Sequence, residues 1–398
     1  MIVLDDLCLN IVDCLHKTAP INELGNYFAV GTPAMRGNSI DYSLARRIDD
    51  ITFDEWTKRL RPRYGDLLLA REAPVGPVVR IPIEENVAPG QRTVLLRPDT
   101  AKVISDYLYY LLIAPEQQER LNQPVGGSTV AHLNVADVRS FRLPDVPSLM
   151  EQRRIAGVLG ALDDKIESNQ AVVTRAEQLI DEIAEQKATD LPTVALSEVC
   201  SLSKSTWKPD TSSNQTVHLF SLPAFDGGAV PEQAAVSSIK SNKTLIDRPG
   251  ILVSRLNPRI SRMWWVETDA TPVSVCSPEF AYLTAGDMHG LACTWLAVRS
   301  PGFRGEIVDR VTGTSGSHQR VRPADLMTIG VPDYRSLAEH TQITVLTLLH
   351  LISARRQQSV TLAELRAALL PELMSGRMRV DEAGRLVSEA LDEEVADV

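Results

Sequence analysis

Residues 147–169 read PSLMEQRRIAGVLGALDDKIESN, and a comparable string, YRSLAEHTQITVLTLLHLISARR, occupies residues 334–356. Each is entered from a short motif ending in proline, at Pro144 and Pro332, and the first then runs without proline from Ser148 to Leu191. Ile155, Leu159, Leu162, Ile166, Asn169, Val173, Ala176, Ile180 and Ile183 follow alternating four-three spacing, with Asn169 the one polar member. That is the seam of a coiled coil rather than the broader stripe of a globular surface helix. Roughly 40 residues at 1.5 Å each predict a rod of about 60 Å. Gly157 and Gly160 each cost roughly 1 kcal/mol in a helix, which a close approach by another backbone would explain.

The second segment has neither proline nor glycine from Asp333 to Leu370. Its apolar positions are Val345, Leu348 and Ile352, then Leu362, Leu365, Leu369 and Leu373, with RRQQS at 355–359 between them. Moved back by 188 positions, that polar stretch falls on ESNQA at 167–171, the polar middle of the first rod. Two rods with matching polar centres predict an antiparallel pair about a local two-fold, with Glu167 and Asn169 meeting Arg355 and Arg356.

The rods belong to a larger repeat. IVLDDLC at 2–8 aligns with TVALSEVC at 193–200, GDLLLAR at 65–71 with PGILVSR at 249–255, and VADVRSFRLPDVPSL at 135–149 with RPADLMTIGVPDYRSL at 322–337. Their shared order implies a duplicated unit. Short β-type runs (Val78–Ile83, Thr93–Leu96, Met263–Val266) mix with helical stretches such as Ser105–Ile113, punctuated by Gly, Pro and Asn. The fold expected is mixed α/β: globular domains at 1–146 and 192–334, long helices at 147–191 and 335–376, and an acidic tail at 377–398.

The net charge of −10 is unevenly spread. Residues 147–190 carry nine acids against five bases, and 381–398 carry seven acids against Arg385 alone, so the remainder is close to neutral. Within that remainder, arginines cluster at 59, 61, 63 and 71 and at 248, 255, 259 and 262, which allows a basic face. No run approaches the eighteen apolar residues of a membrane span, and no basic-then-apolar leader opens the sequence, so a cytoplasmic protein is expected. The five cysteines form an odd set without a CxxC pair, which predicts reduced thiols and no zinc site.

In LPDVPSLMEQRRIAGVLGALDDKIESN and the closing LRAALLPELMSGRMRV, the chain resembles the specificity subunits of type I restriction–modification systems. The likeness extends to the order globule, rod, globule, rod. The second entry carries Glu339-His340 where the family's Glu-Gln is usual. The resemblance implies two target-recognition domains, each gripping one half of a split site in double-stranded DNA. It also implies rods that set the spacing and dock modification subunits, two in number, which methylate adenine. Restriction subunits would add ATP-driven translocation and cleavage. S-adenosylmethionine, ATP and Mg then belong to the partners, and this chain binds no cofactor and no metal itself. Two globules on a rigid spacer suit the reading of two half-sites. Because the globules share little beyond the landmarks, the expected site is asymmetric.

An inventory of motifs supports a non-catalytic chain. There is no Gly-Lys pair and hence no P-loop, no HExxH among the seven histidines, and Asn257-Pro258 continues as Arg259-Ile260 rather than as a methyltransferase signature. The Glu185-Gln186-Lys187 run after Asp181 lies on the rod, where charges are ordinary. Two other readings stand beside this one: a stand-alone regulator binding split sites, and a structural coiled-coil adaptor. Val158, Val172 and Leu179 widen the first rod's apolar stripe and favour docked partner helices over the regulator. Two large globules with clustered arginines disfavour the adaptor.

Base reading calls for Arg, Lys, Asn, Gln or Ser on protruding loops. The candidates in the first domain are Arg36, Asn38 and Ser39 in GTPAMRGNS, Arg71 after the GDLLLA run, and Ser128, Thr129 and His132 in GGSTVAH. In the second they are Arg255, Asn257 and Arg259 in SRLNPRI, and Ser317, His318, Gln319 and Arg320 in GTSGSHQR. Lys204 and Lys208 are candidates for phosphate contact. A surface ion pair is as common a fate for any one of these arginines. The two histidines fit a structural role better than a base contact, and Asp137 and Asp325 fit a helix or turn cap.

Overall fold

The computed structural model describes residues 1–123, 132–210, 212–268, 271–311 and 319–392. They form two compact units, Met1–Asp164 with Leu362–Val398, and Lys165–Thr361. Long helices run over Leu149–Ala188 and Glu339–Met374, as the heptad spacing predicts, and each is divided between the units. Among the described residues no helix is long and apolar enough to cross a membrane.

Each unit repeats one plan. In the first, Ile2–Val3 pairs antiparallel with Arg142–Leu143, so the opening landmark is zipped to the closing one. In the second, Thr193–Ala195 pairs antiparallel with Gly330–Pro332. A four-stranded antiparallel sheet follows, in the order Cys8–Asp13, Thr93–Pro98, Leu67–Arg71, Val75–Arg80. Its counterpart is Ser201–Leu202, Phe280–Thr284, Gly250–Ser254, Met263–Val266. Both middle strands are buried on both faces, which is why they read as continuous apolar runs rather than alternating ones. A second sheet in each unit contains one parallel pair, Phe28 beside Val87 and His218 beside Ser274. That sheet has three strands in the first unit and five in the second, the main divergence between the copies.

Helices Ser105–Ile113 and Met288–Arg299 fill corresponding places, each buried along nearly its whole apolar length. The long helices pair antiparallel in both units. In the first, Asp163 accepts from Arg366. In the second, Val173, Ala176, Ile180 and Ala184 share one core with Val345, Leu349 and Ile352 and with the domain helix residues Leu291, Trp295 and Val298. Burying each Val, Leu or Ile of this seam stabilises by roughly 1.5–3 kcal/mol. Asn169, buried in that seam, donates to Gln358 at 2.7 Å and to Ser359 at 3.3 Å.

Three expectations are corrected, and the acidic tail gains a helix. Asn169 meets Gln358 and Ser359 rather than the arginines, and Arg356 pairs with Glu177 at 2.7 Å. The register satisfies the buried amide of Asn169, which a simple superposition of polar centres does not foresee. No backbone crowds Gly157 or Gly160: a Cβ at 157 would meet open space, and one at 160 would find only the Tyr110 hydroxyl at 3.9 Å. The acidic tail contains a helix, Val380–Asp392, because Val380, Ala383 and Val387 form a buried apolar face among the acids. Finally, Asp181 is no solvated rod charge. It accepts two bonds from Arg299, at 2.7 and 2.6 Å, and one from Arg304 at 3.0 Å.

Asp163 is the corresponding anchor in the first unit, taking the Tyr110 hydroxyl at 2.6 Å, Arg80 at 3.3 Å and Arg366. Replacing Asp163 by Ala strands these donors, and the expected loss is about 3 kcal/mol. Chemical denaturation followed by circular dichroism measures it; a loss below about 1 kcal/mol would mean that the arginines re-solvate without cost.

Candidate nucleic-acid interface

The residues singled out on the two strand ends form a matched pair of latches. In the first unit, strand Leu67–Arg71 ends where the Leu133 amide donates to the Arg71 carbonyl at 3.0 Å, and Glu72 forms a bridge with His132. In the second, strand Gly250–Ser254 runs into Arg255, whose carbonyl accepts from the Val321 amide at 3.0 Å, and Leu256 forms a bridge with Arg320. The same backbone closure thus recurs at the ends of GDLLLAR and PGILVSR, just after the loops GGSTVAH and GTSGSH.

The side chains on the two latches differ. Arg71 is only 6% exposed: it faces Asp13 at 3.3 Å and His16 at 3.3 Å and donates to the Leu133 carbonyl at 3.2 Å. Its guanidinium is therefore internal, and the nearby surface groups are His132, Glu72 and Arg92, with Glu72 between them at 3.3 and 3.5 Å. Arg255 is half-buried and donates to the Pro278 carbonyl at 2.6 Å. Burial, with Arg320 close by, lowers its pKa, while Glu279 opposes the shift. Arg320 grips Glu279 with two bonds, at 3.0 and 2.8 Å, and holds that carboxyl below the usual carboxylate range. Asn257 sits at φ +47° with its amide on the Gln319 carbonyl at 2.9 Å. The second latch thus gathers Arg255, Asn257, Gln319 and Arg320, and Arg259 stands exposed on the same loop.

Arg36, Asn38 and Ser39 lie on a tight hairpin in which Met35–Arg36 pairs with Ser39–Ile40. Gly37 at φ +56° and Asn38 at φ +62° give the two left-handed residues that a type I′ turn requires. Arg36 and Ser39 are exposed, whereas Asn38 faces inward, its Oδ1 accepting from the Val78 amide at 3.1 Å. Lys204 and Lys208 are exposed and flank strand Thr206–Trp207. Ser128, Thr129, Ser317 and His318 lie outside the described residues. Asp137 caps the helix Val135–Arg139 by accepting from the Asn134 amide at 3.0 Å.

On the first long helix, Val172 and Leu179 are 36% and 37% exposed, one heptad apart. Val158 is half-buried, and Gly384 of the C-terminal helix lies against its methyl group. Sequence reasoning missed Glu279 and Glu72. Arg320 and Glu279 are 41 positions apart, so no local pattern joins them. All five cysteines are free; burial pushes Cys8, Cys200 and Cys276 up to about 12 and Cys293 to about 11. Among the described residues no cluster of His, Cys, Asp or Glu is arranged to hold a metal.

The architecture is a duplicated α/β chain with two antiparallel long helices. Residues 23–178 match the family model described as type I restriction modification DNA specificity domain. The chain is 31% identical over 141 residues to the Type I restriction enzyme MjaIX specificity subunit of Methanocaldococcus jannaschii, a match spanning 35% of this chain and 30% of that relative's length. In fold it is similar to the type I restriction–modification S subunit from M. genitalium, with a TM-score of 0.60 and 14% identity, over 94% of this chain and 95% of that one.

The Arg320–Glu279 pair makes the second latch acid-sensitive. Because the Glu279 pKa is depressed in the folded chain, its contribution is complete above the ordinary carboxylate range and is lost as pH falls through the lowered value. Glu279→Gln should weaken protection of the Val321 amide from hydrogen exchange by about two- to fivefold at neutral pH, the worth of a partly exposed pair. The difference between the two proteins should vanish in acid; a difference unchanged there would remove the ion pair from the account.

Proposed function

We propose that this chain is the non-catalytic DNA-recognition subunit of a type I restriction–modification complex in the cytoplasm, reading an asymmetric bipartite site in double-stranded DNA. The observation that carries this reading is the recurrence of one latch at corresponding places in two units, with different side chains on each. Identical closure with divergent surface is what two readers of different half-sites require. In the first unit the exposed set is Arg36, Ser39, His132 and Arg92; in the second it is Arg259 with the half-buried Arg255 and Arg320. The paired helices would fix the spacing between half-sites and hold two modification subunits, with restriction subunits joining them. Adenine methylation would draw on S-adenosylmethionine bound by the modification subunits, and translocation on ATP and Mg in the restriction subunits.

The test is an exchange of residues 192–334 for the equivalent domain of a relative, read out as methylated adenines across the host chromosome. One half of the methylated sequence should change, with the other half and the spacing preserved. A change in both halves, or in neither, would defeat the two-reader account. Within the second unit, Arg255→Ala should relax preference at one position by about 1–3 kcal/mol if the guanidinium reads a base. An even loss at all sites, with a shallower salt dependence, would mark a phosphate contact instead.

Docking is tested separately. Val172 and Leu179 are partly exposed apolar residues one heptad apart within the second unit. Val172→Asp with Leu179→Asp should abolish copurification with the modification subunit while leaving each unit folded. Retained copurification would move the docking surface elsewhere.

A further inference from the structure

The turn of the 35–40 hairpin is held from two sides. The Asn38 side chain takes the Val78 amide, and its carbonyl oxygen takes the Tyr109 hydroxyl at 3.1 Å. Tyr109 is 3% exposed and sits on helix Ser105–Ile113. Its ring is overlaid by the Arg80 guanidinium at 4.5 Å, which also lies 5.8 Å from Tyr110. Arg80 in turn is pinned by Asp106 at 3.3 Å and by Asp163 of the long helix at 3.3 Å. A polar chain therefore runs from the turn of the hairpin, through Tyr109 and Arg80, to the carboxylate that also receives Arg366. All of it lies inside the first unit. A two-residue turn with both residues at positive φ has little freedom of its own, so one further bond to its carbonyl fixes where the flanking Arg36 points.

We propose that Tyr109 is a positioning residue for DNA recognition: its hydroxyl locks the Gly37-Asn38 turn and so aims Arg36 at one base position. The proposal rests on the reading of the first unit as a DNA reader and adds to it the residue that sets the precision of one contact. The second unit provides an internal contrast. There the stretch of similar rank is a short helix, Leu222–Asp226, clamped by Arg262 on Asp226 at 2.7 and 2.8 Å, so the effect belongs to one half-site.

Tyr109→Phe keeps the ring in the core and removes only the hydroxyl, which makes it the informative variant; Arg36→Ala is its companion. Each replaces the natural chain in the host, and preference is read from methylated adenines at sites differing by single bases. Arg36→Ala should relax preference at one position of one half. Tyr109→Phe should relax the same position by about three- to tenfold, the worth of one hydrogen bond, with an unchanged second half and a thermal unfolding midpoint lowered by no more than about 4 °C. If Arg36→Ala relaxes that position and Tyr109→Phe does not, or lowers methylation evenly at all sites, the positioning role is overturned while the DNA reading stands. If Arg36→Ala itself changes no preference, the hairpin is no base reader and the proposal falls with it.

Discussion

The structure depends on carboxylates of the first long helix that hold donors from the unit around them. A coiled-coil seam is cohesive but permissive: apolar side chains gain by burial in many rotations and registers. Asp163 and Asp181 remove that freedom. Each carboxylate collects arginines of its own unit, and Asp163 also takes the Tyr110 hydroxyl. Hydrogen bonds to charged groups are worth roughly 1.5–3 kcal/mol apiece and are directional, so they select one arrangement among those the seam tolerates. Asn169 acts alike within the seam, where a buried amide without its partners would be costly.

The two units show which parts of such a plan are constrained. The zipped terminal strands, the four-stranded sheet and the buried helix recur because each closes the core. The second sheet, the loop near residue 36 and the side chains on the latches differ between the copies. Arg71 and Arg255 are the sharpest case. They end equivalent strands with equivalent backbone bonds, yet one faces Asp13 inside the unit and the other leans on a backbone carbonyl at its surface.

Much of this was legible in the sequence, because the deciding signals are periodic. The heptad seam located both long helices to within a few residues, and the landmarks located the repeat. GDLLLAR and PGILVSR read as strands because continuous apolar runs of that length, bounded by turns, are buried on both faces. The rest was hidden for a physical reason. Whether Arg71 faces inward, or Asn38 anchors rather than reads, is decided by partners far along the chain: Val78 lies 40 positions from Asn38 and Tyr109 lies 71. The C-terminal helix was obscured differently, since its three buried residues are outnumbered by acids, and composition averages away a narrow apolar face.

The state of the cysteines has a practical consequence. Only a thiolate attacks alkylating reagents, and burial keeps the native thiols protonated at neutral pH. A cysteine introduced on an open surface, such as the outer face of the 35–40 hairpin, would react far faster than any of the five already present. The natural chain is in that sense already prepared for site-specific fluorophores or spin probes, with its own cysteines left in place.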